Sequence, residues 1–424
     1  MKRLFTILLS VCLILCFFSG CGEEEAAEQK GKVYYLNFKP EQDTAWQNLA
    51  KEYTKETGVE VKVLTAAEGT YSQTLTSEIE KTDAPTLFQV SGAVALDTWQ
   101  DYCLDLKDTD VYKQLTSDDF ALKRDGNVYG VAYVYEGYGL IVNKELLKKA
   151  GYEIDDIKGY EDLKKIAEDI TKRSKQLGFS AFTSAGLDSS SSWRFSGHLA
   201  NIPLFYEFLD DKITSQPATI KGTYLDRYKL LWDLYINNST TAPNLLSTKT
   251  GDDALAEFTT KKAVFFQNGT WEYDNVKIIG DDNLGYIPIY SGIDDDDQGL
   301  CCGTENYWAV NSQSPEADRK ATLDFLNWVV TSEKGTTALA QNMGFVSPFK
   351  MAKETDNVLS NIMNEYVSEG RYNVSWVFNY TPNVDDWRAE LVTALTAYSA
   401  KSGSWDNVKK AFVEGWDKHY KSSH

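Results

Sequence analysis

The sequence predicts an α/β protein of two lobes, with a chain that crosses between them. Strand-like and helix-like segments alternate along most of the 424 residues, an order typical of sheets covered by helices. The first such unit, a strand, a helix and a second strand within residues 32–63, indicates a parallel strand pair. The chain is long enough for two hydrophobic cores, and no long linker divides it. We therefore expect lobes that share the chain.

The N-terminus has the features of a lipoprotein leader. Lys2 and Arg3 precede an almost wholly apolar run at 4–18, which has the length of a signal segment and is short for a membrane span. Small residues then lead to Cys21, and this pattern forms a lipobox, at which bacteria attach diacylglycerol to the thiol. Phe18 stands where Leu is usual, so an ordinary signal peptide cleaved elsewhere is the alternative. The predicted segments are a signal peptide at 1–20 and, from the lipidated Cys21, a charged flexible tether at 21–31.

The composition limits the classes of partner. The formal net charge is −19, which argues against nucleic acid and against charge-driven binding to anionic lipid. Aromatic residues make up 13% of the chain, enough to leave flat rings for a ligand as well as for the cores. With three histidines, a histidine-rich metal site or a Ser–His–Asp triad is poorly supplied, and we expect no cofactor.

The cysteines of the body leave two readings open. Cys103, Cys301 and Cys302 remain once the leader is removed and Cys21 is lipidated. Cys103 is able to pair with one of the other two in an extracellular protein, whereas adjacent cysteines rarely bond to each other. Buried free thiols are the alternative.

The predicted elements follow from periodicity. Residues 32–38 alternate as a strand, and Trp46, Leu49, Ala50 and Tyr53 fall on one helical face that Gly58 ends. Asn143 is expected to cap a helix at 144–150. Further strands are predicted at 59–63, 86–90, 129–143, 178–183, 263–266, 284–290 and 307–310. Further helices are predicted around 75–79, 163–170, 224–236, 253–258, 321–329, 387–398 and 408–416.

An acidic segment has the spacing of a calcium-binding loop. Asp294, Asp296, Gln298, Gly299 and Glu305 stand at positions 1, 3, 5, 6 and 12 of an EF-hand-like pattern, which clusters oxygen ligands around a sharp turn. Strand-like segments flank it where the motif needs helices. The favoured interpretation is a solvated acidic loop between strands.

Several pieces in a fixed order carry a family resemblance. The segments 129–133 and 139–151 are similar to a crossover strand and the helix after it. Residues 258–271 read F-T-T-K-K-A-V-F-F-Q-N-G-T-W, close to the pattern F-x-x-G-x-A-x-M-x-x-N-G-x-W. Residues 303–310 and 344–348 complete the series. Over residues 32–420 the chain thus resembles the family 1 extracellular solute-binding proteins, relatives of maltose-binding protein that serve ABC sugar importers.

The resemblance implies a two-lobed, type II periplasmic-binding-protein-like fold with a ligand cleft between lobes joined by crossing strands. We place the crossings near 134–137 and near Pro288, where hinges would let the cleft close around a ligand. The implied lobes are 32–135 with 289–330, and 136–288 with 331–424.

A neutral sugar presents C–H faces that aromatic rings cover and hydroxyl groups that carboxylates and amides bind. By resemblance, stacking rings are expected from Trp271, Trp387 and Trp193, although Trp387 also suits a helix core. Glu136 at the crossing is either a hydroxyl-binding acid or half of a salt bridge. Polar or aromatic residues at strand ends complete the candidate set: Asn37, Phe38, Ser91, Glu305 and Asn306.

The sequence therefore predicts a lipid-anchored binding protein, not an enzyme, on the extracellular face of a bacterial cell membrane. Its expected ligand is a sugar, with an oligosaccharide favoured, its expected partners are ABC permease subunits, and we expect a monomer. Two alternatives stay open. One is a secreted glycosidase with paired carboxylates, and the other is the same fold binding a cationic ligand such as a polyamine.

Overall fold

The computed structural model describes residues 30–67 and 69–423. The predicted leader at 1–20, Cys21 and most of the predicted tether lie outside the described residues. Across the described ranges, no helix combines the length and the apolar character needed to cross a bilayer.

The described residues form strands and helices that alternate along the chain. The strands are β1 (Val33–Asn37), β2 (Val61–Thr65), β3 (Leu87–Val90), β4 (Ala121–Arg124), β5 (Asn127–Ala132), β6 (Glu136–Asn143), β7 (Ser180–Phe182), β8 (Ala263–Gly269), β9 (Leu284–Ile287), β10 (Gln298–Gly303), β11 (Tyr307–Val310) and β12 (Tyr372–Ser375). The helices are α1 (Asp43–Thr57), α2 (Tyr71–Ile79), α3 (Gly92–Trp99), α4 (Asp110–Lys113), α5 (Lys144–Lys149), α6 (Tyr160–Leu177), α7 (Asn201–Asp211), α8 (Leu225–Asn237), α9 (Gly251–Thr259), α10 (Tyr273–Val276), α11 (Glu316–Thr331), α12 (Glu333–Thr337), α13 (Val358–Ser368), α14 (Val384–Ser399) and α15 (Trp405–Ser423).

The first β-α-β unit forms as its periodicity predicts. β1 and β2 pair in parallel, and Gly58 ends α1 with a φ of 73°. The Asn143 side chain caps α5 by accepting a hydrogen bond from the Leu146 amide. The predicted apolar face of α1 is buried against the first sheet and consists of Trp46, Leu49, Ala50 and Tyr53.

Two sheets confirm the α/β class and the two lobes. The first sheet has the strand order β2-β1-β3-β11-β5-β4, and the second has β12-β10-β6-β8-β7, with β9 also paired to β6. Each sheet has its own buried apolar clusters. The ends of β1, β3 and β8 and the starts of β6 and β11 bring the candidate residues toward the region between the sheets.

The chain passes between the sheets at three places in the described residues. Residues 133–135 join β5 to β6, and Tyr135 pairs there with Val346 in an isolated bridge. Residues 304–306 join β10 to β11, and residues 343–357 join the core of the first lobe to α13. Three segments of the described chain therefore connect the two lobes, and connecting segments of this kind are where a hinge is located.

The predicted run at 129–143 is two strands in the structure. The break falls at 133–135, not at the glycines, and β6 continues through Gly137 and Gly139. A Cβ atom on Gly139 would lie 2.6 Å from the Ile287 carbonyl oxygen. Glycine is therefore needed there because β9 and β10 both approach β6 closely.

The predicted return crossing near Pro288 is wrong, because β10 stays in the second sheet. Cys301 to Gly303 pair with Tyr138 to Glu136 of β6, so the chain returns only at 304–306. The predicted lobe boundaries therefore differ from the strand pairing at 298–303. They also differ from the packing at 338–349, because Leu339 and Phe345 lie in the core of the first lobe.

The three cysteines of the body are free thiols, each of them buried. Burial raises the pKa of Cys103 to about 12. The disulfide that the sequence left open is not formed, and neutral buried thiols of this kind are inert.

Candidate functional site

A cluster of aromatic rings lies beside β6 and β8 of the second lobe. His198 is stacked on Tyr138 with ring centres 4.1 Å apart, and Trp193 meets it edge-on at 5.4 Å. Trp271 lies 5.8 Å from Trp193 and 5.6 Å from His198. Trp376 closes the group, with its ring 5.0 Å from His198 and 6.4 Å from Trp271. We call Tyr138, Trp193, His198, Trp271 and Trp376 the aromatic cluster.

Local structure holds each ring in place. Trp271 follows β8 in a short 3-10 turn, Thr270–Glu272, and its ring lies directly over Gly269, where a Cβ atom would be 2.2 Å away. Trp193 donates its indole N–H to the Ser190 carbonyl oxygen at 2.9 Å. His198 lies in a π-helical turn, Arg194–Leu199, a distortion that is frequent at functional sites.

The first lobe contributes a lysine to this cluster. Lys39 follows β1 and is only 6% exposed. Its Nζ donates to Glu136 Oε1 at 2.8 Å and lies 3.4 Å from Glu41 Oε1. The same ammonium lies 5.5 Å from the ring centre of Trp271. Lys39 thus links the first lobe to a carboxylate and to a ring of the second.

Charged groups surround the ammonium group, and of these Glu136 is buried. Burial lowers the pKa of Lys39, but Glu136 and Glu41 outweigh that effect and raise it, so Lys39 stays charged. Burial raises the pKa of Glu136, against the opposing effect of Lys39. Burial also raises the pKa of Glu305, which Arg388 and Lys39 oppose.

Arg388 brings a second cation to the site from α14. Its guanidinium lies 5.4 Å from the ring centre of Phe378. Its NH2 nitrogen would be 2.8 Å from a Cβ atom on Gly197. Burial and the nearby Arg388 and Lys39 charges hold the pKa of His198 well below its usual range, so the imidazole is neutral. The cluster therefore joins a neutral imidazole to charged groups of both signs.

Three buried polar atoms of this region have no hydrogen-bond partner among the described residues: His198 Nδ1, Trp376 Nε1 and Arg388 Nε. Unpaired buried donors and acceptors are costly. Rings with unpaired polar atoms at their edges are what a ligand with apolar faces and polar edges requires.

The candidate residues divide into groups. The structure places Trp271 and Trp193 in the aromatic cluster. Glu136 is linked to Trp271 through Lys39, and Glu305 interacts electrostatically with Lys39 and Arg388. Asn306 and Ser91 are hydrogen-bonded to each other, Ser91 Oγ to Asn306 Oδ1, at 2.7 Å. Thr304 accepts from Asn379 Nδ2 through its carbonyl oxygen at 3.1 Å, so the 304–306 crossing touches the second lobe.

The expectation that Trp387 stacks on the ligand is corrected by the structure, because Trp387 lies in the core. It is 1% exposed, its indole N–H donates to the Phe412 carbonyl oxygen at 3.0 Å, and its ring packs against Phe412 and Trp416. The neighbouring residue, Arg388, reaches the site instead.

Asn37 and Phe38 have structural roles in the first lobe. The Asn37 amide donates to the Lys39 carbonyl oxygen at 2.7 Å and to Thr65 Oγ1 at 3.1 Å, and its oxygen accepts from the Lys39 amide. The Asn37 side chain therefore holds the Lys39 backbone in place. Phe38 packs edge-on against Tyr71 in a first-lobe cluster. The Asn37 side chain is fully buried, and its direct contact with a ligand stays a prediction.

The calcium-loop pattern does not form a cation site. Gln298 is fully buried in β10, donating to the Ile289 carbonyl oxygen at 2.9 Å and accepting from Tyr206 at 3.0 Å. Asp294 and Asp296 are exposed, while Glu305 belongs to the charged region beside Lys39. Within residues 30–67 and 69–423 no group of three or more His, Cys, Asp or Glu is placed to hold a metal ion.

Sequence reasoning missed Lys39, His198, Trp376 and Arg388. Trp376 lies in an aromatic-rich run, 376–380, which was the available signal. A surface groove of about 620 Å³ adjoins the site at Glu41, but none of the residues that line it is aromatic. The aromatic cluster is therefore the better candidate for ligand binding.

Known structures share this fold. The chain is similar to RafE in complex with raffinose, with a TM-score of 0.72 and 17% identity over 92% of this chain and 99% of RafE. It is similar to a family 1 extracellular solute-binding protein from Bifidobacterium longum subsp. infantis, with a TM-score of 0.62 and 20% identity over 92% and 100% of the two chains. A third is the GacH receptor of Streptomyces glaucescens, solved unliganded and with acarbose, with a TM-score of 0.69 and 18% identity over 93% and 99%.

Sequence comparison gives the family. No curated protein sequence matches the chain significantly. The family description "bacterial extracellular solute-binding protein" matches residues 48–364, which is most of the chain and agrees with the resemblance found in the sequence. The chain therefore belongs to the bacterial extracellular solute-binding proteins.

Proposed function

We propose that this protein captures a sugar, with an oligosaccharide favoured, and delivers it to an ABC importer from a lipid anchor on Cys21. The observation that carries the proposal is the aromatic cluster with unpaired polar atoms at its edges. Indole rings cover the C–H faces of a sugar, and His198 Nδ1, Trp376 Nε1 and Arg388 Nε supply hydrogen bonds to hydroxyl groups.

Contacts from both lobes support capture by closure. Lys39 of the first lobe reaches Glu136 and Trp271 of the second. Farther out, a Cβ atom on Gly92 would lie 3.4 Å from Asn379, and one on Gly69 would lie 3.6 Å from the Ser189 carbonyl oxygen. A ligand that touches both lobes favours the closed arrangement by its differential affinity for it.

The direct test is a thermal-shift screen of residues 22–424 against mono- and oligosaccharides. A ligand that binds only the folded state stabilises it by RT ln(1 + [L]/Kd), so the unfolding midpoint rises with the logarithm of the ligand concentration once that concentration exceeds the dissociation constant. We expect a concentration-dependent rise with at least one sugar, and no shift with any sugar would contradict the proposal.

The anchor has a separate test. In a bacterial host that processes lipoproteins, we expect the wild-type chain to fractionate with membranes and to incorporate labelled palmitate. Cys21→Ala should abolish the label. Equal labelling of both proteins would contradict lipidation at Cys21.

The glycosidase alternative needs two carboxylates able to act on a glycosidic bond. Glu136 is instead held by Lys39 at 2.8 Å, which favours binding over catalysis. Incubation with the sugars that give a thermal shift should leave them intact, and the appearance of hydrolysis products would favour the enzyme.

A further inference from the structure

We propose that Lys39 is a built-in cation that fills an ammonium site made by Glu136, Glu41, Trp271 and Phe345. By filling this site it makes the cleft select neutral ligands over cationic ones. The proposal deepens the sugar-binding function above and rests on it for the location of the cleft.

The groups around Lys39 Nζ are those that bind an ammonium ligand. Glu136 Oε1 lies 2.8 Å from it and Glu41 Oε1 lies 3.4 Å from it. The ring centres of Trp271 and Phe345 lie 5.5 and 5.9 Å away, within the range of cation–π attraction. Two carboxylates and two aromatic faces around one desolvated cation form the kind of cage that recognises alkylammonium ligands.

The backbone of Lys39 is fixed in place. Asn37 bonds to both its amide and its carbonyl oxygen, and the Gln42 amide donates to the same carbonyl at 3.1 Å. Pro40 follows directly and begins a 3-10 turn, Pro40–Gln42. These contacts direct the side chain into the cage, so the ammonium is a constant part of the site.

The cage has parts from both lobes. Glu136 and Trp271 belong to the second lobe, while Lys39, Glu41 and Phe345 belong to the first. A free amine would have to displace Lys39 from two carboxylates and two rings together. A neutral sugar meets no such competition, because it binds rings and hydrogen-bonding edges elsewhere in the cluster.

The experiment is a chemical rescue of Lys39→Ala. This substitution removes three carbons and the ammonium, which n-propylammonium replaces. Thermal shift is measured for wild type, Lys39→Ala and Lys39→Met in n-propylammonium chloride, with equal potassium chloride and 1-propanol as solute controls. Lys32→Ala is the matched control, because Lys32 also pairs with a carboxylate, Asp83 at 2.6 Å, but is half-exposed and has no cage.

We expect a saturable rise in the midpoint of Lys39→Ala, with a dissociation constant of roughly 1 mM for so small a ligand. Wild type, Lys39→Met and Lys32→Ala should show at least tenfold weaker effects. If Lys39→Ala lacks a cooperative transition by itself, n-propylammonium should restore one. The absence of both effects, an equal effect of 1-propanol, or an equal effect on Lys32→Ala would overturn the proposal.

The amine measurement contains no sugar, and the sugar screen contains no amine. Failure of the rescue therefore leaves the sugar-binding proposal standing. If the sugar screen fails and the rescue succeeds, the proposal of a caged lysine stands and the proposal of a sugar ligand is contradicted.

Discussion

Replacing Trp271 by alanine removes the ring at the centre of the aromatic cluster. The indole lies 5.9 Å from Tyr138, 5.8 Å from Trp193 and 6.4 Å from Trp376, measured between ring centres. It is only partly buried, so part of its surface is available to a ligand. The change should therefore affect ligand binding more than folding.

The expected loss of binding free energy follows from the apolar surface that the Trp271 ring covers. If a bound sugar and the indole bury about 80 Å² of apolar surface together, about 25 cal/mol per Å² gives about 2 kcal/mol. That value corresponds to a loss of roughly 30-fold in affinity. Because neighbouring rings remain, we expect the loss to fall within about 1–3 kcal/mol.

Isothermal titration with a sugar found in the thermal-shift screen measures the effect. Trp328→Ala is the matched control, since that indole is also partly buried but packs on Tyr53 in the first lobe, 5.1 Å between ring centres. We expect Trp328→Ala to bind within twofold of wild type. An unchanged affinity for Trp271→Ala would remove Trp271 from the site and refute the reasoning.

Three further predictions concern stability. Trp387→Ala should lower the free energy of unfolding by about 3–5 kcal/mol, as for other fully buried rings, and urea denaturation measures this; a loss below about 1 kcal/mol would contradict its core position. Glu136→Gln should cost about 3 kcal/mol, the lower end for breaking a buried pair, because Glu41 remains near Lys39; calorimetry of both proteins tests this, and equal stability would show that the pair contributes nothing net. Folding lowers the pKa of His198, so the neutral imidazole contributes fully to the free energy of unfolding above about pH 6.5. As the pH falls below that value, the free energy of unfolding drops by about 1.4 kcal/mol per pH unit until the folded-state pKa is reached. Urea denaturation from pH 7 to 5 should therefore show a shallower decline in His198→Phe than in wild type, and parallel declines would contradict a buried neutral imidazole.

Sequence periodicity was sufficient for elements whose signals are local. The alternation in β1 and the spacing of Trp46 and Tyr53 in α1 depend on geometry that neighbouring residues impose on one another. The strand β10 was missed because its sequence, Gln298–Gly303, follows an acidic run and contains two glycines and two cysteines, which are weak local strand signals. Its pairing with β6 depends on residues far away in the chain.

The site shows the same division. The sequence indicated Trp271, Trp193 and Trp387 through a family pattern, although Trp387 also suited a helix core. In the structure Trp387 shares the buried face of its helix with Leu391 and Leu395. That face is the core, and one residue further, a rotation of about 100° on a helix, Arg388 turns toward the cleft. Which of two adjacent residues meets the ligand is decided by how the helix packs.

By itself, the sequence determined the α/β class, the alternation of elements and the family, while the leader stays a prediction. Only the tertiary structure decided where the lobes exchange the chain and which side chains meet between them. Lys39 and Glu136 stand 97 residues apart, and their pairing depends on two sheets approaching each other. Burial and charge at that meeting point arise from the packing of distant segments, and no local pattern encodes them.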